Sequence, residues 1–300
     1  MSLRLWIPIA LAACAAADAF GAAAPRMPPW DAAVSSLYAA PDARLLWFAA
    51  GKPTAAASAL IAELQRADER GLVPEDYAAR ELADRIAAAT RAGAAALDGA
   101  QQRELDRRLS LAVARFVSDL HAGRVAPRDV GHDLDVPHAA LDLTVALRAL
   151  ANASDVRAVL ADFEPGFVRY DLLKKSLQQY RALAATPQLT ELPPLGRRAL
   201  KPGDTWEGVP ALRRLLRALG DWRGATDDVA DDATVFDAPL SAALQQFQYR
   251  HGLPQDGVLG RTTYAELTRP LAQRVRQIEL SLERARWLPP RLDTPPIIVN

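Results

Sequence analysis

The chain has 300 residues, with 36 Lys and Arg balanced by 36 Asp and Glu. A formal charge of zero gives no global field to gather nucleic acid or an anionic membrane surface. A single cysteine, Cys14, excludes both an internal disulfide framework and a zinc-thiolate site.

The lysines are only Lys52, Lys174, Lys175 and Lys201, and alanine, the strongest helix former, is abundant. Strand signals are scarce. The expected class is mainly α: a helical domain followed by a small three-helix domain.

Residues 1–24 read as an export leader rather than as structure. Arg4 precedes Leu5 to Ala17, about thirteen uncharged and mostly apolar residues, where a membrane span needs roughly 20. Two cleavage readings compete. Ala17-Asp18-Ala19 fits a small-residue site, whereas Leu11-Ala12-Ala13-Cys14 fits a lipobox that would make Cys14 a lipid anchor. Either one places the mature chain outside the cytoplasm, with no transmembrane span.

Residues 30–190 read as a helical domain. Thr54 is the expected N-cap of a helix over 55–69, with Gly71 and Leu72 closing it. Pro74 blocks continuation, and Glu75, Asp76 and Tyr77 are expected to open the next helix. From Gln101 to His121, Leu105, Leu109, Ala112, Val113, Phe116, Val117 and Leu120 form one stripe, with Arg103, Glu104, Arg107 and Arg108 off it. Gly123 ends that element. A further helix spans about 167–184, with Phe167, Tyr170, Leu173, Leu177 and Tyr180 inward.

A Pro- and Gly-rich segment, PQLTELPPLGRRALKPGD, then lacks periodicity, and residues 191–204 read as a linker. A second unit occupies 205–270. It begins with a helix carrying Leu212, Leu215, Leu216 and Leu219, stopped by Gly220. An acidic stretch, Asp227 to Asp232, reads as a solvated loop, because it lacks the glycine and terminal Glu of a calcium loop.

The segment from Asp237 to Leu267 holds the most information. Asp237 can cap a helix whose apolar face is Leu240, Ala243, Leu244 and Phe247. Gly252 and Leu253 end it, Asp256-Gly257 makes a tight turn, and Gly260 permits a second reversal. Thr263 and Glu266 have the spacing of a capping box for the next helix.

The string FQYRHGLPQDGVLGRTTYAEL resembles the second half of a three-helix peptidoglycan-binding domain: FQ, GL, DG-x-x-G and T-x-x-x-L at the family's spacing. The resemblance implies that wall glycopeptide docks in a shallow groove beside these turns. It points to Gln248, Asp256, Gly257 and Thr262 as contacts, although each has a purely structural alternative as a turn holder or cap. Three other stretches resemble the large L,D-transpeptidases of Gram-negative envelopes: WFAAGKPTAAASALIAELQRADERGLVPEDY, DLHAGRVAP at 119–127, and RVRQIELSLERARWLPP at 274–290. Members of that family join a helical scaffold, a peptidoglycan-binding domain and a β-rich catalytic domain. Residues 271–300 are then expected to be a helix and first strand, at Ile297 to Asn300, leading toward a catalytic domain.

The family's thiol chemistry needs a cysteine, a histidine and oxyanion donors in a Ser-His-Gly-Cys type string. That string does not occur in these residues. His121, His132, His138 and His251 form no metalloprotease pattern, and the cluster Asp129, His132, Asp133, Asp135 and His138 fits no familiar metal spacing. The expectation is non-covalent peptidoglycan binding in cell-wall remodelling, with no catalytic residues, no metal, no cofactor and no nucleic-acid partner. A helical envelope scaffold that recruits other cell-wall enzymes is the alternative.

Overall fold

Side chains that cap backbone amides decide where several helices begin. The computed structural model describes residues 29–40, 43–92, 97–132, 134, 140–222 and 233–288. The leader, Cys14, the acidic stretch at 227–232, Asp133, Asp135, His138 and the expected strand at 297–300 lie outside them. Among the described residues there are eleven α-helices and one two-stranded hairpin, so the protein is mainly α.

Helix α1 (Pro29–Leu37) precedes the hairpin of β1 (Phe48–Ala49) and β2 (Lys52–Pro53). Thr54 Oγ1 then accepts the Ala57 amide at 3.1 Å and starts α2 (Ala55–Gln65). A 3₁₀ turn over Ala67–Arg70 closes at Gly71, and the Leu72 amide returns to the Ala67 carbonyl. Residues 74–77 do not open the next helix as expected. They form a 3₁₀ turn, and Ala78 at φ 49° separates it from α3 (Ala79–Ala92). Proline supplies the first φ of that turn, while the left-handed Ala78 redirects the chain.

Asp98 and Gln101 form a reciprocal capping box that starts α4 (Gly99–Ala122). The expected stripe on α4 is the core: Leu109, Val113, Phe116, Val117 and Leu120 are fully buried. Helices α5 (Leu143–Ala151) and α6 (Val156–Ala161), capped by Asp142 and Asp155, pack on the same core.

A second core gathers Trp206, α8 (Val209–Ala218), Phe236, α9 (Ala238–Arg250), α10 (Arg261–Leu267) and Leu271. The aperiodic residues before it are strapped down rather than free. Leu192 is buried, Tyr264 Oη donates to the Leu192 and Pro193 carbonyls, and Leu200 pairs with Leu259 in an antiparallel bridge.

Two long helices span the cores. α7 (Val168–Ala184) and α11 (Leu271–Arg286) bury Tyr170, Leu177 and Leu282 between them. Tyr180 and Leu183 at one end of α7 reach the second core, and Leu271 belongs to it. At the other end of α11, the Arg286 guanidinium is fully buried and donates to the Tyr170 hydroxyl and the Arg70 carbonyl. Glu283 accepts the Arg124 and Val125 amides, and Trp287 Nε1 donates to the Val125 carbonyl at 2.8 Å. Gly123 sits at φ 83°, where a Cβ would lie 2.7 Å from Glu283 Oε1. The close docking of α11 therefore requires a residue without a side chain there. The two stretches 119–127 and 274–290, each singled out in the sequence, meet at this contact.

Candidate functional site: a glutamine-centred turn

Helix α9 presents its turn-facing residues because Asp237 Oδ1 caps it on the Leu240 amide at 2.9 Å, and Pro239 supplies a favourable first-turn φ. Its far end closes as a Schellman motif. The Gly252 amide returns to the Tyr249 carbonyl, and the Leu253 amide returns to the Gln248 carbonyl at 2.9 Å. The chain is thereby folded back along α9.

Gln248, only 1% exposed, is the hub of the turn packed against α9. Its Oε1 accepts the Gly257 amide at 2.9 Å. Its Nε2 donates to Asp256 Oδ1 at 2.8 Å, and to the Val258 carbonyl and Thr263 Oγ1 at 3.2 Å each. A neutral amide suits this place because it is donor and acceptor at once. Asp256 Oδ1 also accepts the Val258 amide at 2.9 Å, an Asx turn that tightens the loop. Gly257 has φ 66°, and a Cβ there would meet Ser241 Oγ at 2.3 Å. Ser241 Oγ itself donates to the Gly257 carbonyl at 3.0 Å.

The structure therefore brings together three of the four expected contact residues, Gln248, Asp256 and Gly257, and gives them different surroundings. Gln248 and Gly257 are buried, with polar groups spent on the turn. Asp256 is exposed, and its Oδ2 takes part in none of these bonds. Thr262 is exposed in the first turn of α10, beside exposed Arg261. Gln255, Asp256, Arg261 and Thr262, which flank the turn along the chain, are all polar and exposed.

Two local expectations are corrected. Thr263 and Glu266 do not form a capping box, since the N-cap is Gly260 without a side-chain bond. Thr263 is buried on Gln248, while Glu266 pairs with Arg269 and Arg274 across the start of α11. Gly260 makes no left-handed reversal, as its φ of −89° and ψ of 176° are ordinary extended values.

Charged groups brace this unit from inside. Asp221, 1% exposed, takes a bidentate pair from Arg250 at 2.6 Å on each oxygen. Arg213 is buried and donates to Asp237 Oδ2 at 2.7 Å and to the Val235 carbonyl. Arg213 was legible as an inward residue, because Val209, Leu212, Arg213 and Leu216 share the i, i+3, i+4, i+7 face. His251 stacks on Phe247 with ring centroids 4.1 Å apart. Burial, with Arg274 and Arg250 nearby, holds its imidazole below the usual histidine range.

No group of three or more His, Cys, Asp or Glu among the described residues is arranged to hold a metal ion. No helix among them is long and apolar enough to cross a membrane.

No curated protein matches the chain. The family described as "Scaffold domain" matches residues 32–177, which cover the first core. The family described as "Putative peptidoglycan binding domain" matches residues 206–267, which contain the whole glutamine-centred turn. The chain thus carries a scaffold domain followed by a helical peptidoglycan-binding domain.

Proposed function

We propose that this chain attaches non-covalently to peptidoglycan through the surface above the Gln248 turn, as an exported L,D-transpeptidase-like protein of the cell wall. The carrying observation is the division of labour within that turn. Gln248 and Gly257 spend their polar groups inward, and Asp256 on the turn and Thr262 at the start of α10 stand exposed beside them. A preformed polar surface limits the ordering cost of binding a sugar-peptide polymer. In this reading Asp256 and Thr262 touch the wall, whereas Gln248 and Gly257 hold them in place.

Attachment, rather than bond making, is the work assigned to these 300 residues. The domain order supports the transpeptidase-like reading, with the scaffold-matched region first and the wall-binding region after it. The export leader, under either of its two cleavage readings, supports a periplasmic location in the same reading. A shallow surface on a small domain gives modest affinity, but a wall polymer repeats its sites and raises retention wherever several copies act together.

Co-sedimentation with isolated sacculi tests this. The protein is expected in the pellet at low salt, and Asp256→Ala with Thr262→Ala is expected to cut retention about tenfold without lowering the melting temperature. Equal retention of the double variant would move the contact elsewhere on the molecule.

A further inference from the structure

A cleft of about 510 Å³ opens between the 3₁₀ turn at 67–70, α6 and α7, on elements outside the peptidoglycan-binding match. That volume lies within the range of small-ligand sites, about 300–1,000 Å³. Its base is ionic. Arg70, with a side chain 5% exposed, donates from Nε to Glu164 Oε1 at 2.6 Å and from Nη2 to Glu63 Oε2 at 2.8 Å. Its Nη1 is buried without a hydrogen-bond partner. Lys174 reaches the same Glu164. Arg157, exposed at the edge of the cleft, pairs through Nη2 with Glu69 at 2.6 Å and through Nε with Glu63 at 3.6 Å, which leaves Nη1 outside both pairs.

The rim differs from the base. Lys175 and Gln178 are exposed, and Lys175 makes no ion pair among the described residues. Asp171, also exposed, pairs only with Lys174 there, at 3.1 Å. The opening thus offers unspent cation and amide donors beside a largely solvated carboxylate. Four cations and three carboxylates line the whole cleft: Arg70, Arg157, Lys174 and Lys175 against Glu69, Glu164 and Asp171. A polyanion would meet those carboxylates at every step, and an apolar ligand would strip charges of water without replacing it. A short ligand bearing both a free carboxylate and a free ammonium matches both signs.

We propose that this cleft is a second wall contact, which takes the short mixed-charge peptide arm of peptidoglycan by its carboxylate on Lys175, Arg157 and Gln178. The ammonium of the arm falls to Asp171. Arg70, fixed between Glu63 and Glu164, is the buried positive base that holds Glu164 and, through it, Lys174 in place. This site rests on the wall-binding reading but uses different residues, so the two can fail separately.

The test titrates the full chain with a soluble disaccharide-tetrapeptide and with the same disaccharide freed of peptide. Lys175→Glu combined with Arg157→Glu is expected to weaken the peptide-bearing form at least tenfold and to leave the peptide-free form unchanged. Lys175→Glu alone, at an exposed and unpaired position, is expected to weaken it about threefold with an unchanged melting curve. If both cleft variants bind the peptide-bearing form as the parent does, or the parent does not bind it, the cleft proposal is overturned. Sacculus retention of Asp256→Ala with Thr262→Ala, measured in parallel, judges the turn independently.

Discussion

Both cores fold a loop onto a helix through a buried polar side chain, the first loop distant in sequence and the second close by, yet they choose different chemistry. In the first, Asp106 on α4 accepts the Leu46 and Trp47 amides at 3.0 and 2.7 Å, together with the Tyr38 hydroxyl. Ser110, one turn on, accepts Trp47 Nε1 at 2.8 Å and completes the network. In the second, Gln248 on α9 gathers one amide and three acceptors with an uncharged group. A carboxylate can only accept when ionised, so it suits a loop that offers donors alone. An amide suits a loop that offers both. The carboxylate also couples its loop to pH. Burial outweighs the Tyr38, Leu46 and Trp47 bonds and holds the Asp106 carboxyl above the usual range.

The largest effect should come from removing the charged organiser. Asp106→Ala leaves two amides and a tyrosine hydroxyl without their buried acceptor, and is expected to cost about 4 kcal/mol. Urea unfolding followed by tryptophan fluorescence measures it. A loss below about 1 kcal/mol would mean that water replaces the carboxylate, and the contrast between the two loops would disappear.

A change of chemistry at the second organiser should cost somewhat less. Gln248→Glu keeps the acceptor for the Gly257 amide but sets carboxylate oxygen against Asp256 Oδ1 and the Val258 carbonyl. The expected loss is about 3 kcal/mol at pH 7, shrinking as the new carboxyl gains a proton in acid. Hydrogen exchange of the Gly257 amide reports it locally. A variant as protected as the parent at pH 7 would show that the amide is not needed as a donor.

The smallest effect concerns pH in the first core. Asp119 accepts the Tyr77 hydroxyl at 2.8 Å, and burial pushes its carboxyl up to about 6, with Arg115 and Arg124 opposing and Glu283 assisting. A raised carboxyl pKa means that the native state keeps its proton longer than the unfolded chain. Stability from this group is therefore full below about pH 4 and is lost as pH rises toward about 6, by about 2–3 kcal/mol. Asp119→Asn should flatten that part of the stability curve, measured as denaturation midpoints at intervals from pH 4 to 7. An unchanged slope would assign it to another carboxylate.

Much of the local structure was legible. Thr54, Asp237 and Gly123 act where caps and stops were expected, because a cap is a contact between residues three or four apart. The apolar stripes on α4 and α9 became core for the same local reason. The misread positions are those whose partners lie far along the chain. Thr263 has the spacing of a capping box, but Gln248 turns it inward. Residues 191–204 carry no periodic pattern, and only packing shows that Tyr264 holds Leu192 and Leu259 pairs with Leu200.

The candidate site divides in the same way. The Asp256-Gly257 turn and its peptidoglycan-binding pattern stand in the sequence. The buried state of Gln248 and the exposure of Asp256 come only from packing, because residue type does not say which way a polar side chain faces. Asp106, Asp119 and Arg213 all lie on apolar helical faces, so periodicity could mark them as inward without naming what would satisfy them.

Sequence by itself determined the helical class, the apolar stripes on α4 and α9, the caps at Thr54 and Asp237, the order of the two regions and the tight turn. Each depends on steric and hydrogen-bonding choices made within a few residues. Only the tertiary structure decided that Glu283, Arg286 and Trp287 dock on residues 70 and 123–125, that α7 and α11 span the cores, and that Arg70 lies at the base of a charged cleft. Those outcomes depend on burial and charge pairing between segments as much as 216 residues apart, which no local pattern encodes.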